Sequence, residues 1–317
     1  ATGGEYPVTI PNAMLGGGPL VLEPNLSAGA AVDLNNSGRP DLVLVDRQFT
    51  SRNPLTGQEF APWVFQNEGK FKFKWIRPSE TGLIHTSREI TYGDLSGDGR
   101  EDLVMPNGSG GGQTVDDNNY VWWNQIRNQG HWIEVRVRSA SDPLGPLGLG
   151  AKVTVYRAGT DQIIGDDEMR TDFGYRSRRD AVLHFGLGKV NSVDVRVQGE
   201  GLGSPVTVRK LRVDRTWTIT MPPQAPVLAS GTDPNRTGVF SLSWAALGSN
   251  PGFTYTLQQR KAGRNWRTVA KGLTRPEYTF TRSSPEGIGV WKYRATATDH
   301  RIPSDPSPAS RPITVIP

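Results

Sequence analysis

The chain has 317 residues, no cysteine and a formal net charge of +5, and at this length about two or three domains are expected. The absence of cysteine excludes disulfide bonds, thiol nucleophiles and thiolate metal sites. A content of 37 Gly and 24 Pro, interspersed with short alternating runs of Val, Thr and aromatic residues, predicts an all-β protein of strands and turns.

The N-terminal segment, residues 1–18, is rich in Gly and Pro, shows no hydrophobic period and ends in three consecutive glycines. We expect an extended arm here. The chain begins with Ala instead of Met, which fits removal of an export signal. No apolar run reaches the length of about 20 residues that a membrane-spanning helix needs, so no transmembrane segment is predicted.

A 13-residue pattern then occurs twice within residues 19–130. Residues 31–43 read AVDLNNSGRPDLV and residues 92–104 read YGDLSGDGREDLV, with the first Asp of each copy 61 residues apart. Each copy is followed by an aromatic strand that ends in Asn, at 63–67 and 120–124. A small antiparallel sheet with a polar loop is typical of a propeller blade. Two blades cannot close a ring, so we expect the next module or a partner to cover the open stack.

Each repeated loop has the form D-x-[DNS]-x-[DNS]-G-x-x-D, which offers the oxygen ligands that Ca²⁺ prefers. The ligands in the second loop would be Asp94, Ser96, Asp98, the backbone carbonyl of Arg100, and Asp102. Those in the first would be Asp33, Asn35, Ser37, the backbone carbonyl of Arg39, and Asp41. Three carboxylates in the second loop, against two in the first, predict a structural Ca²⁺ in the second and weaker binding in the first. The alternative, favoured for the first loop, is that these side chains only close turns through hydrogen bonds to the backbone.

Two further modules follow. Residues 131–221 alternate apolar and polar positions with period two, as in Ile133, Val135 and Val137, which predicts sheets with one wet face in a sandwich. A proline-rich linker then begins the third module, residues 222–317, where aromatic residues recur on short predicted strands. This last module holds 12 Lys and Arg against 5 Asp and Glu. Its cations are spread through predicted strands and turns, so we expect contact with an acidic surface and no nucleic-acid partner.

These segments resemble known families. The two Asp-rich loops and the run NEGKF at 67–71 resemble FG-GAP/VCBS repeats. Residues 131–198 resemble the ASPIC/UnbV domain through HWIEV at 131–135, GLGAKV at 148–153, GYRS at 174–177 and LHFGLG at 183–188. The third module resembles a fibronectin type III domain through LSW at 242–244, YTL at 255–257 and YRATA at 293–297. The whole is similar to the cartilage acidic protein type, which implies an exported protein of adhesion or interaction and implies no reaction.

No catalytic constellation is predicted. The four histidines, His85, His131, His184 and His300, are scattered, and neither H-E-x-x-H nor G-x-S-x-G occurs. His184 is interpreted as structural because it lies in the LHFGLG run. We therefore expect neither an enzyme nor an organic cofactor.

Two functions remain open. The first is a non-enzymatic, membrane-extrinsic scaffold subunit, periplasmic or extracellular, that stabilises a larger complex of protein subunits, membrane bioenergetic complexes included. The alternative is a free Ca²⁺-dependent adhesion or glycan-binding module that uses Trp63, Trp122 or Trp123 near the blade loops.

Overall fold

The structure is a computed structural model. It describes residues 26–46, 62–76, 78–83, 87, 89–106, 119–127, 129–139, 147–171, 180–199, 203–229, 239–245, 253–281, 289–299, 302–307, 309–310 and 313–315. The predicted N-terminal arm, His85, His300 and the run at 174–177 lie outside these residues.

The repeat region folds into two antiparallel sheets that meet in one core. Its elements are β1 Leu26–Val32, β2 Asp41–Asp46, β3 Trp63–Gly69, β4 Lys72–Ile76, the single helical turn α1 Pro78–Thr81, β5 Thr91–Gly93, β6 Asp102–Met105 and β7 Tyr120–Trp122. The sheets have strand orders β1-β2-β3-β4 and β5-β6-β7. Val43 and Val45 on β2 belong to the same buried cluster as Leu103 and Met105 on β6. The two blades therefore pack together as an open stack.

The middle module is the predicted sandwich. Its strands are β8 His131–Ser139, β9 Lys152–Arg157, β10 Ile163–Glu168, β11 Leu183–Gly188, β12 Ser192–Gln198, β13 Val206–Arg212 and β14 Arg215–Met221. One sheet has the order β10-β9-β12-β13; the other has the order β11-β8-β14, with β14 parallel to β8. The predicted alternation is confirmed at Ile133, Val135 and Val137, which enter the core, and at Arg136 and Arg138, which face solvent. Glu134, on the polar side of the same strand, is buried instead.

The C-terminal module encloses a third core between two sheets. Its strands are β15 Phe240–Ser243, β16 Thr254–Lys261, β17 Arg267–Leu273, β18 Glu277–Phe280, β19 Gly289–Asp299, β20 Ile302–Pro303 and β21 Ile313–Val315. β15 pairs with β18, while β17, β16 and β19 form the second sheet, to which β20 and β21 add at β19. Leu242, Tyr255 and Tyr293 are buried between the sheets, but Trp266 lies outside this core.

The all-β prediction is thus confirmed. In the part of the chain that the structure describes, no helix has the length and apolar character to cross a membrane.

Candidate functional site: two Asp-rich loops seated on the sandwich

The two repeated loops close in the same way. The first connects β1 to β2 and the second connects β5 to β6. Asp33 accepts the backbone N–H groups of the residues four and five positions later, at 2.9 and 2.7 Å. Asp94 does the same at 3.0 and 2.8 Å. The turn ends at Gly38 and Gly99, whose φ angles of 81° and 82° lie in the left-handed region that favours glycine.

The last aspartate of each loop is buried and joins the loop to the following aromatic strand. Asp41 accepts the N–H of Leu34 at 3.2 Å through one oxygen and the N–H of Asn67 at 2.7 Å through the other. Asp102 likewise accepts N–H groups from its own loop, at 3.1 Å, and from Asn124, at 2.8 Å. A carboxylate buried in this way satisfies backbone donors of two elements at once.

The asparagine completes the contact in both repeats. The amide nitrogen of Asn67 donates to the carbonyl of Pro40 at 3.0 Å, and that of Asn124 donates to the carbonyl of Glu101 at 3.1 Å. Each asparagine oxygen also accepts the N–H two residues later, at 2.9 and 3.0 Å. We call each Asp–Asn arrangement a clasp: Asp41 with Asn67, and Asp102 with Asn124. The sequence placed these asparagines at the strand ends but did not reveal their role.

The other predicted ligands also take part in local hydrogen bonds. In the first loop, Asn35 accepts the N–H of Ser37 at 3.1 Å, and the Ser37 hydroxyl donates to Asp33 at 3.3 Å. Arg39 donates through Nε to the carbonyl of Asn67 at 3.0 Å. Side-chain hydrogen bonds to the backbone therefore close the first loop.

The second loop differs at Asp98. Ser96 donates its hydroxyl to Asp94 at 3.4 Å, while Asp98 accepts the N–H of Arg100 at 3.0 Å and pairs with the Arg100 guanidinium. Among the described residues, no group of three or more His, Asp or Glu side chains is arranged to hold a metal ion. A bound ion that used Asp98 would need this carboxylate to leave Arg100. Calcium binding therefore stays a prediction.

The first loop is seated on the sandwich through Asn36. This residue is fully buried and has a φ of 55°. Its amide nitrogen donates to the carbonyl of Gly99 at 2.8 Å and to the side chain of Gln129 at 3.0 Å. Its amide oxygen lies 2.8 Å from Nε2 of His184, and its backbone carbonyl accepts the N–H of Gly188 at 2.8 Å. One side chain thus connects both loops and strand β11.

Glycines allow this close approach. A Cβ atom built on Gly186 would lie 1.9 Å from Oδ2 of Asp33, and one built on Gly99 would lie 1.9 Å from the ring of Trp132. Real Cβ atoms do not approach other atoms so closely, so a side chain at either position would force the loops off the sandwich. Gly186 of the LHFGLG run therefore has a packing reason.

We call the contact between the two loops and the sandwich the joint. His184 lies at its centre, with its side chain buried. Its ring stacks on Trp132 with a centroid distance of 5.8 Å. Because the Asn36 oxygen can only accept, Nε2 carries a proton. Nδ1 lies 3.9 Å from a carboxylate oxygen of Glu101 in the repeat region and 3.9 Å from one of Glu134 on β8.

The ionisable groups around His184 shift its pKa. Burial alone would lower the pKa of His184, but contact with Glu134 and the negative charges of Glu101 and Asp33 raise it above its ordinary value. Burial raises the pKa of Asp33, and it raises the pKa of Asp41 to about 6. The interpretation of His184 as structural fits this place, although the sequence did not show which modules it joins.

Two parts of the chain match known families. Residues 30–105 match the FG-GAP-like repeat family, and residues 143–226 match the ASPIC and UnbV family. The first match contains both loops and the second contains His184. Repeats and domains of these two kinds are typical of extracellular or periplasmic proteins. No curated protein matches the chain.

Some solved structures with a likeness to this chain name fibronectin-like modules in their titles. "Titin kinase and its flanking domains" is 22% identical over 29% of this chain, with a TM-score of 0.24, and the chain spans only 17% of that structure. A human "fibronectin type-III domain" is 21% identical over 30% of this chain and 88% of its own, with a TM-score of 0.25. An "Fn3-like protein from Clostridium thermocellum" is 20% identical over 30% and 97%, with a TM-score of 0.23. At such TM-scores the likeness carries no argument, so the fibronectin type III assignment stays a prediction.

The clasp predicts a selective loss of stability. Asp102→Ala leaves backbone N–H groups of two elements without their buried acceptor, and we expect it to lower the free energy of unfolding by about 2–4 kcal/mol. Asp98→Ala, in the same loop but exposed, should change it by about 0.5 kcal/mol or less. Urea unfolding of the full chain measures both. Equal effects of the two substitutions would show that Asp102 does not hold the loop.

The joint predicts a pH dependence. Because the pKa of His184 is raised in the folded state, its contribution to stability is fully present below about pH 6.5 and is lost as pH rises through the folded value. The difference in unfolding free energy between the native chain and His184→Asn should therefore narrow as pH rises above about 6.5. Asp41, with a pKa of about 6, completes most of its titration before that change. The groups that face His184 and its adjacent cavity are Asp33, Asp94, Glu101, Glu134, Arg136 and Asp180. A difference that stays constant with pH would contradict the prediction.

Proposed function

We propose that this chain is a non-enzymatic, extracytoplasmic scaffold protein that joins other protein subunits, as a peripheral component on the outer face of a membrane. The joint around Asn36 and His184 supports this proposal, because it uses both repeated loops to fix the repeat region against the sandwich. A platform fixed in this way loses little entropy when a partner docks.

Exposed apolar side chains on the second blade give the strongest support for a partner subunit. Of the large apolar side chains that are exposed among the described residues, four lie in or next to the second blade: Leu95 at 54%, Val121 at 47%, Trp123 at 56% and Ile126 at 41%. Exposed apolar surface of this kind marks interaction sites in soluble proteins. Aromatic residues are also enriched at the centres of protein interfaces. The second blade is therefore the surface that a partner subunit would cover.

Affinity purification from the native source tests this surface. The tagged chain, purified in mild detergent, should recover one or more proteins in stoichiometric amount, as identified by mass spectrometry. Trp123→Ser combined with Ile126→Ser should lose that recovery by about tenfold or more, because truncated hot spots cost at least one order of magnitude. Ile163→Ser, at an equally exposed position in the sandwich, is the control and should leave recovery unchanged. Recovery of the native chain alone, or equal recovery by all variants, would overturn the scaffold proposal.

A second candidate function, glycan binding, rests on a cavity beside Trp123. This cavity of about 550 Å³ lies between the two blades and is lined by Trp123 together with polar side chains such as Gln66, Glu80 and Gln125. Aromatic rings with convergent polar groups suit sugar rings. Of the three tryptophans predicted for this role, Trp63 and Trp122 are half-buried within their sheets, and Trp123 is exposed.

The Ca²⁺-dependent form of this candidate makes its own prediction. If the second loop takes up Ca²⁺, calorimetry should detect binding in the range of about 0.1–1 mM that extracellular modules show. Asp98→Ala should abolish it, because Asp98 is the predicted ligand whose carboxylate belongs neither to the clasp nor to the Asp94 contacts that close the turn. Ser37→Ala, at the equivalent position of the first loop, is the control and should not. Binding to a glycan array should then fall with a chelator and with Trp123→Ala. Glycan binding that ignores both the chelator and Asp98→Ala would contradict a role for Ca²⁺.

A further inference from the structure

The C-terminal sandwich brings together cations that are dispersed along the sequence. Arg260 lies on β16, Lys292 and Arg294 lie on β19, and Trp266 lies in the turn between β16 and β17. The guanidinium carbons of Arg260 and Arg294 are 4.7 and 4.4 Å from the centroid of the Trp266 ring. We call these four residues the basic tip. The fold therefore gathers, around one aromatic ring, cations that are spread along the sequence.

The basic tip concentrates positive charge that no carboxylate of the described residues neutralises. Arg260 stands directly opposite Lys292 in the β16–β19 register, and like charges at directly opposed positions destabilise a sheet. None of the three cations forms an ion pair with a carboxylate of the described residues. The Trp266 ring offsets part of the repulsion. A bound anion would offset the rest.

The two arginines are held in position before any ligand arrives. Arg294 donates through Nε to the side chain of Gln258 at 2.8 Å, its direct cross-strand neighbour. Trp266 fixes both guanidinium planes by cation–π contact. Planar guanidinium groups bind carboxylate, sulfate and phosphate oxygens through paired hydrogen bonds. Positioned arginines lose little side-chain entropy when they do so.

The rest of the face indicates what kind of anion fits. Toward the start of β19 the outward position beside Lys292 is Val290, which is 43% exposed. In the other direction the outward positions beyond Gln258 and Arg294 are threonines: Thr254 and Thr256 on β16, and Thr296 and Thr298 on β19. Their hydroxyl groups can donate to and accept from sugar hydroxyls. These positions lack the apolar centre that a protein interface needs. Trp266 already holds two guanidinium groups, so its ring is not an open platform for a nucleic-acid base.

We propose that this face is a binding site for an anionic polysaccharide. Its sulfate or carboxylate groups would lie on the basic tip, and its sugar hydroxyls would lie along the threonines. The site goes beyond the scaffold role, since it names the chemistry that the basic module recognises. It involves neither the second blade nor Ca²⁺, so the two proposals fail separately: loss of protein recovery says nothing about this site, and the reverse holds too.

The test uses the full chain and heparin, a sulfated polysaccharide, immobilised for surface plasmon resonance. Arg260→Gln combined with Arg294→Gln should weaken binding by about tenfold or more, because it removes two charge-assisted contacts. Lys271→Gln combined with Arg275→Gln removes the same charge from exposed positions of the same module and should weaken it by about twofold or less. Binding of the native chain should also weaken as salt is raised.

A second pair keeps the test decisive if the glutamine variant does not fold. Arg260→Lys with Arg294→Lys preserves the charge but removes the planar donors, and an intermediate loss of affinity is expected. Equal losses in the tip and control pairs would overturn the proposal, as would no binding to heparin at low salt. Tighter binding to duplex DNA or to anionic phospholipid vesicles than to heparin, lost in the same tip variants, would also overturn it.

Discussion

The fold of the repeat region depends on a buried carboxylate that faces backbone donors from two directions. Asp41 and Asp102 each accept N–H groups from their own loop and from the end of the next aromatic strand. Without that carboxylate, the backbone N–H groups that converge on it would lose their acceptor. The clasp satisfies those groups and fixes the direction in which the loop leaves the sheet. The loops can therefore present a defined surface to the sandwich.

That surface is used in an asymmetric way by the two repeats. At the fourth loop position the second repeat has Gly97 and the first has Asn36, and both adopt a positive φ. Asparagine is one of the few residues with a side chain that tolerates this conformation. Its amide can therefore reach His184 while the backbone keeps the turn. The two loops share the same hydrogen-bonded turn, and the first loop also anchors the repeat region to the sandwich through Asn36.

Much of the architecture could be predicted from the sequence because it follows from residue patterns that repeat over short distances along the chain. The duplicated Asp pattern located both blades, and the alternation of Ile133, Val135 and Val137 located the sandwich. The joint could not be predicted, because Asn36 meets partners 63, 93 and 148 positions away. The role of the aspartates was ambiguous for a chemical reason, because the same carboxylate oxygens can coordinate a cation or accept a hydrogen bond from a backbone N–H. The recurrence of aromatic residues in the third module did not indicate that Trp266 lies outside the core and holds two arginines.

The contact between Asn36 and the Gly99 carbonyl sets a rule for how such an array can grow. The loops of the first and second repeats touch each other, and both touch the sandwich at β8 or β11. A blade inserted between them would separate Asn36 from Gly99, and one inserted after the second would carry Gly99 away from Trp132. Additional repeats can therefore be accommodated only upstream of β1. The two repeats next to the sandwich act as its fixed terminus, from which a longer relative would extend in one direction.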